Sequence, residues 1–292
     1  MIAIAGPNLP LEILQASGRY AGPVPFDPDR DTTRASAWLE SKFMAWAGPV
    51  LEAWADGEYD HFERVVFSRA DDTSQRLYYY TCELQARGLI AGPKPTIFDV
   101  AKIPRPTSEE RTIAKARDLA TELDVSDDDL EQAIAASNRQ RAQNAPARTG
   151  RVCLLAGTAT PDRRLHDAIA SAGFEPVGQT LADEWMDLGP AIDEGTGDPV
   201  AAIGRQAHLR QAGPRSFADP ANKLSERLQA AGAAAVVLWQ TEEDEAQSWQ
   251  LPAQRRLLES SGLPHLVLTR RDWLARDGAA AEITEFLSGV GA

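Results

Sequence analysis

Short apolar runs alternate along the chain with stretches of helical spacing, and glycine or proline closes many of them. Ile2–Ala5 is such a run and stops at Gly6-Pro7, after which Leu9–Ser17 has helical spacing and ends at Gly18. Pro23–Phe26 suits a short strand. Thr33–Asp56 places Trp38, Phe43, Trp46, Leu51 and Trp54 at intervals of three to five, which predicts a long helix broken or kinked at Gly48-Pro49. Strands are predicted at Phe62–Ser68 and Pro95–Val100, on either side of a helix over Thr73–Arg87. Two helices follow, from Thr107 to about Leu123 and from Ser126 to about Arg141. The second carries Asp127, Asp128 and Asp129 in its first turn, where the helix dipole favours negative charge. Asn144–Gly150 has the composition of a linker.

The second half repeats this layout. Strands are expected at Arg151–Ala156, Glu175–Gly178, Ala234–Trp239 and Leu263–Thr269. Helices are expected at Asp162–Ala172, Ala201–Leu209, Pro220–Ala231, Glu242–Ser260 and Arg271–Leu287, while Leu181–Val200 reads as loop-rich. Short apolar strands separated by helices imply parallel sheets covered on both faces. The expected architecture is α/β: two doubly wound, flavodoxin-like parallel-sheet domains over residues 1–106 and 146–292, joined by a helical bridge over 107–145. Ligands of such sheets sit beyond the carboxyl ends of the strands, at the topological switch point. That singles out Gly6–Leu9, Ser68–Thr73, Gly157–Pro161 and Gln240–Asp244, with the cleft between the domains as the default site.

A length of 292 residues suits two domains, and 30 basic against 43 acidic residues give a net charge of −13. Such an excess of acid argues against nucleic acid or an anionic membrane surface as the main partner. No apolar run reaches the roughly 18–20 residues needed to span a bilayer. The opening run Met1–Ala5 lacks the basic start and long apolar core of a signal peptide, so a cytoplasmic location is expected. Cys82 and Cys153 are too few for a Cys₃ or Cys₄ metal site, and no disulfide is expected between them. His61, His166, His208 and His265 contain no pair at ligand spacing, so no metal site is expected.

Four substrate-binding candidates come from the strand-to-helix turns. Asn8, in Gly6-Pro7-Asn8, and Thr158, in Gly157-Thr158-Ala159, lie where backbone N–H groups can hold an anion, although small residues suit any turn of this kind. In Ser68–Thr73, Arg69 can pair with a substrate anion, and Asp71 or Asp72 can accept a proton or a hydrogen bond. One of the two aspartates is also suited to cap the helix that follows. The acidic run Glu242–Glu245 reads first as a solvated helix start.

Several stretches, taken in order, resemble the 2-hydroxyacyl-CoA dehydratase family, which includes 2-hydroxyglutaryl-CoA dehydratase and benzoyl-CoA reductase subunits. They are Leu9-Pro10-Leu11-Glu12-Ile13 with Ala16-Ser17-Gly18, Phe67–Tyr80 with its Asp…Arg-Leu-Tyr-Tyr-Tyr pattern, Leu130–Arg141, Arg151–Gly157, and Gly262-Leu263-Pro264. The resemblance implies two flavodoxin-like domains, an acyl-CoA ligand and lyase-type chemistry, and it adds Glu12 as a substrate contact. Family enzymes hold a [4Fe–4S] cluster through cysteines, and this chain departs from them there. Ala70 precedes Asp71 where one cysteine is expected, and no cysteine lies beyond Ala234–Trp239 or between the opening motif and Phe62. No cluster or other cofactor is therefore expected in this chain. The implied role is a cluster-less subunit or divergent member that contributes an acyl-CoA cleft, or an interface to a cysteine-complete homologous subunit. The alternative is a stand-alone cleft-binding protein that kept the fold and lost the dehydratase chemistry.

Overall fold

A computed structural model describes residues 1–143, 150–210 and 217–290. The first half contains strands β1 (Ile2–Ala5), β2 (Tyr20–Pro23), β3 (Arg64–Ser68) and β4 (Lys94–Phe98), with helices α1 (Leu11–Ala16), α2 (Thr33–Trp38), α3 (Ala47–Ala55) and α4 (Asp72–Ala86) between them. Helices α5 (Pro106–Glu122) and α6 (Asp127–Gln143) follow. The second half contains β5 (Val152–Gly157), β6 (Glu175–Val177), β7 (Ala235–Thr241) and β8 (His265–Arg271). Its helices are α7 (Arg164–Ser171), α8 (Leu181–Met186), α9 (Pro199–Leu209), α10 (Pro220–Ala231), α11 (Glu245–Ser261) and α12 (Ala279–Gly289).

Each half forms a four-stranded, wholly parallel sheet, ordered β2-β1-β3-β4 and β6-β5-β7-β8. The chain leaves the first strand of each half to one side and returns on the other. The switch points therefore lie between β1 and β3 and between β5 and β7. The alternation of strand side chains divides the second sheet cleanly. Val152, Leu154, Ala156, Val236 and Leu238 pack with Leu224, Leu228 and Leu258 of α10 and α11. Cys153, Leu155, Ala235, Val237 and Trp239 point the other way, into a larger apolar cluster that also takes in the core of the first half. Helix α5 packs on α9, and α6 packs on α1 and α9. The expected boundary at residues 145–146 and most of the expected linker lie outside the described residues.

The predicted elements shift in four places. The second strand is Tyr20–Pro23 rather than Pro23–Phe26, because its place is set by pairing with β1, Ile2 opposite Tyr20 and Ile4 opposite Pro23. The long helix over 33–56 is two helices, and Pro49 falls in the first turn of α3, where a missing N–H costs nothing. Within the loop-rich stretch, Leu181–Met186 is helical and opens on a capping box. Thr180 Oγ1 accepts from the Asp183 N–H at 3.3 Å, and the Asp183 carboxylate accepts from the Thr180 N–H at 3.0 Å. The last helix begins at Ala279, since β8 runs on to Arg271.

His166, on α7, is buried against the second sheet, and neither ring nitrogen meets hydrogen-bond geometry with a partner. Burial pushes its pKa below the ordinary histidine value, and the backbone of Gly178 beside it offsets this only in part. The native state therefore prefers the neutral ring. The stabilisation is complete above the unfolded value of about 6.5 and is lost as pH falls, by at most about 1.4 kcal/mol per pH unit. Urea unfolding at pH 7.5 and 5 should show a smaller acid loss for His166→Leu than for the wild type. An equal loss would remove His166 as a source of acid sensitivity.

Candidate functional site

The carboxyl ends of both sheets open into one cleft of about 1000 Å³ between the halves. Each of the four turns singled out from the sequence lines it: Pro7 after β1, Asp71–Thr73 after β3, Gly157–Ala159 after β5, and Glu243-Asp244 after β7. Its aromatic wall is built by both halves. Trp46 meets Trp185 edge-on at 5.0 Å, and Phe26 lies 6.3 Å from both Trp185 and Trp273. At the rim, Asp29 of the first half accepts from Arg164 at 2.8 Å and from Arg276 at 2.6 Å, both in the second half.

Three carboxyl groups converge in this cleft. Asp71 caps α4, with Oδ1 accepting from the Ser74 N–H at 2.6 Å. Burial raises its pKa, and the Ser74 hydrogen bond opposes that shift. Asp244 is the N-cap of α11, and its Oδ2 accepts from Thr158 Oγ1 at 2.9 Å. The same Thr158 oxygen accepts from the Thr241 N–H at 3.3 Å, which fixes the end of β7 against the β5 turn. Burial pushes Asp244 up to about 6 despite the Thr158 bond. Glu184, on α8, is pushed up to about 7, first by burial and then by the charges of Asp71 and Asp244, while Arg210 and Arg227 pull it down. Like charges in a shared, poorly solvated space cannot all ionise freely. At neutral pH, Glu184 can therefore both give and take a proton.

Of the five sequence-derived candidates, Asp71 and Thr158 line the cleft. The other three are engaged elsewhere. Asn8 donates through Nδ2 to the Ala207 carbonyl at 3.0 Å, tying the β1 turn to α9. Arg69 pairs with Asp99 at 2.7 Å, and Asp99 also holds Arg111. Glu12 is buried and paired with Arg141 of α6 at 2.7 Å. The capping and chemical readings of Asp71 both hold in part: it caps α4 and faces the cleft. Glu184 was hidden in the stretch taken for loop. The signal that could have revealed it is the capping box at Thr180–Asp183 followed by Leu181 and Trp185 four apart. Asp244 lay in the acidic run read as a solvated helix start.

Thiolate ligation does not fit this cleft. Cys153 points from β5 into the core, and Cys82 sits on α4; neither lines the site. Burial pushes Cys153 up to about 12 and raises Cys82 as well, which disfavours the thiolate a cluster needs. Among the described residues, no group of three or more His, Cys, Asp or Glu side chains is placed to hold a metal ion. No helix of the described chain is long and apolar enough to cross a membrane. Comparison with protein-family models and with curated proteins returned no match for the chain.

Proposed function

We propose that the cleft receives an acyl-CoA, and that the chain is a divergent, cluster-less protein of the 2-hydroxyacyl-CoA dehydratase type. It contributes the acyl-CoA site or an interface to a cysteine-complete homologous subunit. One observation carries the reading: the strand ends of both sheets converge on a single cleft that holds an acid titrating near neutral pH. Its volume is at the upper end of the roughly 300–1,000 Å³ typical of small-molecule sites. The ordered stretches that resemble the family supply the ligand class. A second reading, a stand-alone binding protein that kept the fold and lost the dehydratase chemistry, draws on the lack of a cysteine in the cleft.

Titration with lactoyl-CoA, with free CoA and lactate as controls, tests the proposal. Trp46, Trp185 and Trp273 line the cleft, so tryptophan fluorescence reports occupancy. Lactoyl-CoA is expected to bind saturably, and Asp244→Asn to weaken it about tenfold, roughly 1.4 kcal/mol. No saturable binding of the thioester would sink the acyl-CoA assignment. Binding without turnover, with or without a cysteine-complete partner, would favour the stand-alone reading.

A further inference from the structure

The acids of the cleft face a cationic wall in a chain whose net charge is −13. Lys223 and Arg227 stand one helical turn apart on α10 and both line the cleft, as does Arg210 just beyond α9. Arg210 already has a partner, Asp187, at 3.0 Å. Arg227 has no ion pair among the described residues. Its one hydrogen bond is a long one, 3.4 Å from Nη2 to the Leu155 carbonyl. The guanidinium is open to the cleft yet walled by protein, and the loss of solvent lowers its proton affinity. An enclosed guanidinium with most of its donors unused presents a planar fork suited to a carboxylate or a phosphoryl group.

We infer that Arg227, supported by Lys223 and Arg210, anchors an oxyanion of the cleft's ligand, and that the charge on Glu184 controls how firmly the anion is held. The inference goes beyond the acyl-CoA reading and does not depend on it, since a carboxylate or a phosphate ester of any small molecule meets the same fork. Arg227 feels the negative charges of Glu184 and Asp187. Asp187 is committed to Arg210. Glu184 in turn faces Asp71 from the start of α4, Asp244 from the start of α11, Arg210 from the end of α9 and Arg227 from α10. When Glu184 is protonated, the wall is net cationic and the fork is available. When Glu184 ionises, it satisfies Arg227 and repels an incoming anion.

The test uses sulfate, standing for a phosphoryl group, and acetate, standing for a carboxylate; neither titrates between pH 6 and 8.5. Both are titrated calorimetrically into the intact protein. At pH 6 at least one should saturate, and which one does identifies the source of the oxyanion. Its affinity should fall about tenfold or more by pH 8.5. Arg227→Gln should weaken binding at pH 6 at least tenfold, Arg227→Lys less, and Arg87→Gln, at an exposed pair with Glu83, not at all. Glu184→Gln should bind at both pH values and lose the pH dependence. Circular dichroism of each variant separates loss of binding from loss of fold. Failure of both anions to saturate, or unchanged affinity in Arg227→Gln, would overturn the anchor. A pH dependence that survives Glu184→Gln would overturn the control by Glu184. Lactoyl-CoA binding is scored separately, so either proposal can fail alone.

Discussion

Replacing Gly157 by alanine should cost about 4 kcal/mol or more, and lower Tm by on the order of 10 °C or prevent folding. Gly157 is the last residue of β5, directly opposite Trp239 of β7, and has φ +103°. A Cβ built there would lie 2.0 Å from the Trp239 carbonyl oxygen and 2.9 Å from its carbonyl carbon. That carbonyl cannot swing away freely. It accepts from the Thr158 N–H at 2.9 Å, and the Trp239 side chain is fully buried. The backbone must therefore leave its conformation or the two strands must separate at the switch point. Gly18→Ala is the control. Gly18 also has positive φ, +66°, but nothing stands within 4 Å of its Cβ position, so only the conformational cost of about 1–2 kcal/mol applies. Urea unfolding of both variants checks this; similar losses would show that the close contact with Trp239 is relieved at no cost.

The second large effect is expected at Arg141. Its guanidinium donates to Glu12 at 2.7 Å, Leu188 O at 2.8 Å, Gly189 O at 3.1 Å, Ser137 Oγ at 2.7 Å and Asn138 Oδ1 at 2.9 Å. One side chain on α6 thus ties α1 of the first half to the loop after α8 of the second. Arg141→Met removes the only ion-pair partner of Glu12 among the described residues and leaves a buried charge, at a cost of about 3–5 kcal/mol. The double variant Glu12→Gln/Arg141→Met should recover part of that loss, because the neutral amide is cheaper to bury. A loss below about 1 kcal/mol in Arg141→Met would mean that Glu12 does not depend on this partner. Glu12 and Arg141 belong to two of the stretches on which the family resemblance rests. In this chain the ion pair gives both a structural task, remote from the cleft lining.

What could be read from the sequence was local. Apolar runs such as Ile2–Ala5 and Ala234–Trp239, each closed by a turn or followed by a helix, were enough for two parallel sheets and for the four turns that line the cleft. Edge strand β2 escaped because Tyr20–Pro23 is half exposed and not apolar; only its pairing with β1 defines it. The site was half legible for the same reason. Asp71 and Thr158 follow strands, so their place was implied by the topology. Arg227 lies mid-helix beside Leu224 and Leu228, with nothing local to mark it. Its importance arises from what α8 brings opposite it across the cleft, and no spacing in the sequence encodes that distance.

The large apolar cluster has a consequence for how the chain holds together. It joins Ile2, Trp54 and Leu77 of the first half to Leu165, Trp185 and Ile283 of the second without interruption. Two sheets of matching strand order suggest two modules that could be exchanged or inherited one at a time. The shared core denies them that independence, since either half produced alone would expose the face that its counterpart covers. The repeat is therefore architectural only: cooperative melting, and any evolutionary shuffling, should treat these two sheets as one inseparable unit.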